Sequence, residues 1–256
     1  MQLTNDQIYQ IKKIAVNAGE IILEYYLGRK DKEVKAKQDN SEVTAADIAA
    51  NKYLNESLTE LFPNIPIVSE ENSVNDNLKA AQNSVFFLND PLDGTRAFIN
   101  KSDEFTVNIA LIKDYKPVFG VIYLPVSRDL YFTDADFKAY KNDQPIKVAS
   151  RMQDYRVICT KREPEKSDVL AYLTKQNLQP EILLSVSSSL KFCLIAEGKA
   201  DIYPRKVSIC GWDIAAGHAI VNAASGLMTD YEGREIQYKF IDDFKVPEFI
   251  VTGNIR

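Results

Sequence analysis

Apolar residues recur at Ile8, Ile11, Ile14, Ala18 and Ile21/Ile22, the spacing of one helix face, and predict an amphipathic helix from Thr4 to Leu27. Thr4 and Gln7 stand where a capping box would close its first turn. A charged segment then leads to the turn signal Asn40-Ser41, and a second helix is predicted from Thr44 to Phe62, stopping before Pro63. Ile65-Pro66-Ile67-Val68 reads as a short strand that ends at Ser69-Glu70-Glu71. Val85-Phe86-Phe87-Leu88 reads as a buried strand leading into Asn89-Asp90-Pro91-Leu92-Asp93-Gly94-Thr95, a turn rich in Asp-Pro and Asp-Gly. Strand-like runs follow at Phe105 to Ile112, Val118 to Leu124, Leu130 to Thr133 and Lys138 to Tyr140, with turn residues between them, which predicts an antiparallel meander.

Beyond residue 150 the pattern changes. Strands Val157 to Thr160 and Ile182 to Leu184 alternate with helical stretches Ser167 to Lys175, Ser188 to Glu197 and Asp213 to Ala224. Such alternation predicts a second α/β layer system. The fold class is therefore α/β (α+β). An N-terminal lobe of residues 1–150 and a C-terminal lobe of residues 151–256 are expected to pack as one catalytic unit, with no linker, repeat or heptad array between them.

Composition narrows the chemistry. The chain has 256 residues, is 45% hydrophobic and 26% charged, and carries a net charge of -5. An acidic balance argues against a nucleic-acid or anionic-membrane surface, although local metal ions would still permit an anionic substrate. Cys159, Cys193 and Cys210 are an odd number of widely spaced thiols, which reads as a reduced core. The N-terminus lacks a signal-peptide pattern, and no apolar run reaches the ~20 residues of a membrane span. A cytoplasmic setting is expected, with peripheral association at the inner membrane left open. The single histidine, His218, lies in the apolar helical pattern Trp212 to Val221, where it reads as a packed residue. With no His or Cys cluster, any metal must be held by oxygen: magnesium, manganese or calcium.

Acidic side chains stand at the ends of several elements: Glu70 and Glu71 after one strand, Asp90 and Asp93 after another, Asp213 at a helix start and Asp47 at the start of the second helix. Carboxylates from separate strand ends suit a hard divalent cation. Asp90, Asp93 and the Leu92 carbonyl could give three ligands from one Pro- and Gly-shaped segment, a spacing suited to two metals about 4 Å apart. Each also has a plainer reading: Glu70-Glu71 as a solvated loop, Asp213 as a helix cap, and Thr44-Ala45-Ala46-Asp47 as a capping box. Asp134-x-Asp136 lacks the glycine and final glutamate of a calcium loop.

Asp90-Pro91-Leu92-Asp93-Gly94-Thr95 and Trp212-Asp213-Ile214-Ala215-Ala216-Gly217, preceded by Val43-Thr44-Ala45-Ala46-Asp47 and Ser69-Glu70-Glu71, together resemble the signatures of the lithium-sensitive, magnesium-dependent phosphatases related to inositol monophosphatase. Each motif is a weak signal, but four in order across most of the chain are specific. Glu104 to Ile112, and Ser188-Ser189-Leu190-Lys191-Phe192-Cys193 through Tyr203-Pro204-Arg205, resemble the bacterial 3′(2′),5′-bisphosphate nucleotidase branch.

The resemblance implies a layered α-β-α-β-α sandwich that removes the 3′-phosphate of adenosine 3′,5′-bisphosphate, the by-product of sulfate transfer, to leave AMP. It implies two or three Mg2+ ions, with Mn2+ as a substitute and Li+ as an inhibitor. Glu70, Asp90, Asp93, Asp213 and the Leu92 carbonyl match the metal ligands. Thr95, paired with Asp47, matches the residue that orients and activates the attacking water, beside Glu70. The amides of Gly94 and Thr95 could hold phosphate oxygens, and Asp93 and Asp213 border the substrate. Ser188, Lys191 and Arg205 match positions that contact the nucleotide and its second phosphate.

Three departures stand out. After the strand Arg156 to Thr160, the chain continues Lys161-Arg162-Glu163, with Glu163 where the branch usually has a histidine that contacts the base. Asn89 replaces an apolar residue, and Arg96-Ala97 stand where Lys-Glu is common. The alternatives are an inositol monophosphatase or sugar phosphatase of the same superfamily, and a nucleotide-binding protein without catalysis. The expected partner is a small phosphorylated nucleotide; oligomeric state is not legible.

Overall fold

The first two predicted helices form, and their caps explain where they begin. In this computed structural model, which describes residues 2–31, 33–36, 42–159, 165–178 and 180–255, the first helix spans Asn5–Tyr26. Thr4 Oγ1 accepts from the Gln7 amide at 3.2 Å, and Gln7 Oε1 accepts from the Thr4 amide at 3.0 Å. The second helix, Ala45–Leu61, is capped in the same way by Thr44 and Asp47. The Asn40-Ser41 turn and the Lys161-Arg162-Glu163 segment lie outside the described residues.

A seven-stranded sheet runs Ile67–Ser69, Val85–Asp93, Thr106–Lys113, Lys116–Leu124, Asp129–Thr133, Ala139–Lys141, Gln144–Pro145. The first two strands are parallel and the rest form the expected antiparallel meander. A five-stranded sheet runs Pro180–Ser185, Tyr155–Cys159, Ile202–Arg205, Phe249–Thr252, Leu227–Asp230. Its last three strands carry little apolar alternation and did not stand out in the sequence. The helices Val74–Ala81 and Thr95–Ile99 were likewise unforeseen; the second is a single short turn with no periodicity to read.

The period of two along the strands sorts side chains into layers. On one face of the larger sheet, Phe87, Ile109, Leu111 and Val121 pack against Ile11, Ala18, Ile22 and Leu54 of the first two helices. On its other face, Phe86, Leu88, Ala110 and Ile122 meet Phe192 and Ile220, with Tyr203, Phe249 and Val251 closing from the smaller sheet. The helices Leu190–Ala196 and Ala215–Ala223 thus lie between the sheets. The outer face of the smaller sheet buries Val157, Cys159 and Ile202 against Val169 and Leu173 of the Glu165–Lys175 helix. The order is helix, sheet, helix, sheet, helix. None of the three cysteines is disulfide-bonded. Among the described residues, no helix is long and apolar enough to cross a membrane.

Candidate active site

The Asp90 to Asp93 segment is not a turn beyond the strand. The strand Val85–Asp93 continues through it: Asp90 pairs with Asn108 and Asp93 with Thr106, and the register shifts between them. Pro91 has no N–H to give to the ladder, so the strand bulges there and keeps both acids at its C-terminal end. Gly94 follows at φ 95° and ψ 38°, a left-handed conformation that costs glycine little. A Cβ at Gly94 would lie 3.0 Å from the Glu104 carbonyl and 3.2 Å from Ser188 Cβ, so the chain passes close on both sides.

The distant acids do converge. Ligand oxygens of Glu70, Asp90 and Asp213 all lie within 4.8 Å of one another. Glu70 is presented by the end of the parallel strand, where Asn77 brackets Ser69: its Oδ1 accepts from the Ser69 amide at 3.0 Å and its Nδ2 donates to the Ser69 carbonyl at 2.7 Å. Asp213 closes the single turn Gly211–Asp213 ahead of the Ala215–Ala223 helix, and its Oδ2 accepts from the Cys210 amide at 3.2 Å. The cap and the cluster are thus one residue's two uses. Asp90 Oδ1 accepts from the Leu92 amide at 3.0 Å. Asp93 Oδ2 faces Ser189 Oγ at 2.8 Å, Asn108 Nδ2 at 3.4 Å and Thr106 Oγ1 at 3.5 Å. In Asp90, Asp93 and Asp213 one oxygen is occupied by the chain, which leaves the other for a cation.

Electrostatics point the same way. Burial, then the charges of Glu70, Asp93 and Asp213, push the Asp90 carboxyl well above the usual range. Asp213 is raised by burial and by Asp93 and Glu70. None of Asp90, Asp93 and Asp213 joins an ion pair among the described residues. Buried like charges without a counter-ion are costly, and an all-oxygen set of carboxylates with the Leu92 carbonyl nearby fits a hard divalent cation.

Next to this cluster, Thr95 Oγ1 lies 3.2 Å from Asp47 Oδ1 and 3.3 Å from the Leu92 carbonyl. Asp47 Oδ2 accepts from the Thr44 amide at 2.8 Å and the Thr44 hydroxyl at 2.5 Å. Burial raises the Asp47 carboxyl, Thr44 opposes that, and the Glu70 charge adds to it. The helix cap and the partner of Thr95 are again the same side chain.

The predicted nucleotide contacts border the cluster. Ser188 adopts φ 52°, uncommon for serine, and accepts from Lys191 Nζ at 2.9 Å through its carbonyl. Glu104 holds the segment by accepting from the Ser187 amide at 2.8 Å. Lys191 is pushed down to about 8, first by burial; Asp93 opposes this and Arg205 reinforces it. Ser189, Asn108, Thr106, Asn77 and Glu104 were not singled out from the sequence as site residues. A signal existed for two of them: Thr106 and Asn108 are polar and fully buried, two apart in the apolar run Phe105 to Ile112. Asn89 is also fully buried, and neither amide atom has a hydrogen-bond partner among the described residues. Its place beside Ser69 in the sheet is the only account the structure offers.

Comparisons with known proteins bear on the whole arrangement. A profile of the inositol monophosphatase family matches residues 4–251. The 3′(2′),5′-bisphosphate nucleotidase CysQ of Salmonella typhimurium is 42% identical over 245 residues, covering 95% of this chain and 98% of that protein. The crystal structure of CysQ from Bacteroides thetaiotaomicron, a bacterial member of the inositol monophosphatase family, superposes with a TM-score of 0.78 at 31% identity, covering 98% of each chain. An inositol monophosphatase of Thermotoga maritima superposes with a TM-score of 0.81 at 22% identity, covering 97% of this chain and 92% of that one, a likeness of fold.

Proposed function

The chain belongs to the inositol monophosphatase family, whose members are metal-dependent phosphatases, and from that premise we propose that it is a 3′(2′),5′-bisphosphate nucleotidase. Its substrate is adenosine 3′,5′-bisphosphate, from which it releases the 3′-phosphate to leave AMP. The observation that carries the phosphatase chemistry is the meeting of Glu70, Asp90 and Asp213 oxygens within 4.8 Å, beside the Thr95–Asp47 pair, and the 42% identity to CysQ supports the nucleotide as substrate.

Glu70, Asp90, Asp93, Asp213 and the Leu92 carbonyl would hold Mg2+, which when bound neutralises phosphoryl oxygens and makes water a stronger acid. The chain does the positioning. Because Thr44 occupies Asp47 Oδ2, the other oxygen is turned to Thr95. When the Thr95 hydroxyl donates to Asp47, its own oxygen is left to accept from a water and aim it at phosphorus. As the water attacks, its proton passes to Thr95 Oγ1 while the Thr95 proton passes to Asp47 Oδ1; the bond from phosphorus to the 3′ oxygen breaks, and that oxygen leaves with the bonding pair and takes a proton from solvent water. Burial raises the affinity of Asp47 for a proton, which favours its transfer from Thr95. The amides of Gly94 and Thr95 would hold phosphate oxygens. Lys191 and Arg205, with Ser188, would take the second phosphate, a demand that inositol monophosphate does not make.

Phosphate release from adenosine 3′,5′-bisphosphate and inositol 1-phosphate, assayed side by side with Mg2+, tests the proposal. A strong preference for the nucleotide is expected, with Mn2+ able to substitute and millimolar Li+ lowering the rate. Preference for the inositol phosphate would move the substrate elsewhere in the family, with Glu163 the first residue to replace by histidine. Release from neither substrate would overturn the nucleotidase reading and move the substrate to another phosphate ester, such as a sugar phosphate.

A further inference from the structure

Three polar side chains behind Asp93 form a hydrogen-bond chain with a direction. Thr106 Oγ1 donates to Asn108 Oδ1 at 3.0 Å, closer than its 3.5 Å approach to Asp93. The 3.4 Å approach of Asn108 to Asp93 Oδ2, a carboxylate oxygen that accepts, settles which end of the amide is the donor, so Nδ2 also donates to Ser189 Oγ, 2.9 Å away. Ser189 therefore accepts from Asn108 and keeps its one proton to give. Two acceptors lie 2.8 Å from it, Asp93 Oδ2 and the Asp213 carbonyl. The three donors are sealed from water: Thr106 and Asn108 are fully buried and Ser189 is 1% exposed.

We propose that Ser189 is a positioning residue for the metal site: it determines which oxygen of Asp93 meets the cation and ties that carboxylate to the segment that presents Asp213. The inference rests on Asp93 and Asp213 being metal ligands, as proposed above. With Oδ2 engaged by Ser189 and Asn108, only Oδ1 of Asp93 is left to a cation. Ser189 stands at the start of the Leu190–Ala196 helix between the two sheets, so it links an acid on the larger sheet to an acid of the chain's second half. A negatively charged Asp93 attracts the proton more than a carbonyl does, so the hydroxyl is held on Asp93 Oδ2. Hydrogen bonds behind a metal ligand of this kind typically account for 10–100-fold in metal affinity.

Titration of the protein with Mn2+, reading free Mn2+ by electron paramagnetic resonance, tests this without turnover. Ser189→Ala is expected to weaken Mn2+ binding by about tenfold. In the Mg2+-dependent assay it should raise the Mg2+ needed for half-maximal rate, lower kcat at fixed Mg2+, leave KM for the nucleotide near its original value, and recover kcat at high Mg2+. Thr106→Val removes the first donor of the chain at nearly constant volume and is expected to weaken Mn2+ binding a few-fold; it carries the test if Ser189→Ala does not fold. Asp93→Asn is the control for the metal site itself. Wild-type Mn2+ affinity in folded Ser189→Ala, with affinity lost in Asp93→Asn, would overturn the proposal and leave the metal reading standing. Unchanged affinity in Asp93→Asn would overturn the metal reading, and the inference with it.

Discussion

Asp93 shows how one side chain can be legible in type and illegible in setting. Its spacing from Asp90, with proline and glycine in the segment, announced an acid held by a rigid backbone. Nothing local indicated that Ser189 and Asn108 would occupy one of its oxygens, since those partners lie 96 and 15 residues away. Asp93→Asn is expected to cut phosphate release more than about a hundredfold, because even groups behind the ligands account for 10–100-fold. Circular dichroism should show an intact fold; near-normal turnover would sink the metal role. Lys191 makes a second residue-scale expectation. Burial holds its ammonium down to about 8, so the charged form is present below that pH and lost above it. If Lys191 binds the second phosphate, kcat/KM for the bisphosphate should fall above pH 8, approaching tenfold per pH unit. Lys191→Arg should show no such fall, since a guanidinium keeps its charge throughout that range.

At the scale of elements, local rules and site chemistry coincide. Thr44 and Asp47 close the Ala45–Leu61 helix as a capping box, and the same box turns Asp47 Oδ1 to Thr95. Thr44→Ala should cost about 1 kcal/mol from the lost cap. It should also lower kcat, because Asp47 Oδ2 loses its hydroxyl donor and the carboxylate is free to rotate. Chemical denaturation with steady-state kinetics checks both; a stability loss with kcat unchanged would reduce Thr44 to a cap. The strand bulge teaches the opposite lesson. Asp-Pro and Asp-Gly read as a turn, yet the pairing of Asp93 with Thr106 keeps the segment in the sheet. Turn propensity is local, and a neighbouring strand with unpaired backbone groups overrides it.

Across the whole molecule, three apolar clusters hold five layers together, and His218 lies fully buried in the middle helix layer. Its Nδ1 is 3.1 Å from the Tyr238 hydroxyl, and Nε2 has no partner among the described residues. Burial, with Lys116 adding, pushes the imidazole down to about 4 from 6.5. A histidine depressed in the folded state contributes its stability above the unfolded value and loses it as pH falls toward the folded one. Between pH 7 and pH 5 that loss is about 2 kcal/mol, since the unfolded chain takes up a proton the folded chain refuses. Urea unfolding at both pH values should show this component in the wild type and not in His218→Gln. Equal pH dependence in the two proteins would mean that the ring can be protonated without unfolding.

The sequence by itself determined the helices with strong periodicity and caps, the meander, the lack of a His or Cys cluster to hold a metal, and the motifs that mark the family. All of these are carried by residues near one another in the chain, where a period of two or 3.6, or a fixed spacing, leaves a readable trace. It did not determine the strands Ile202–Arg205, Leu227–Asp230 and Phe249–Thr252, which sit side by side through pairing across long separations rather than through their own pattern. Only the tertiary structure decided that Glu70, Asp90 and Asp213 meet, that Pro91 makes a bulge and not a turn, and that Ser189 and Asn108 stand behind Asp93. The reason is physical. A buried polar side chain is tolerated because of the partner it finds in space, and that partner is chosen by the packing of layers, to which no stretch of sequence refers.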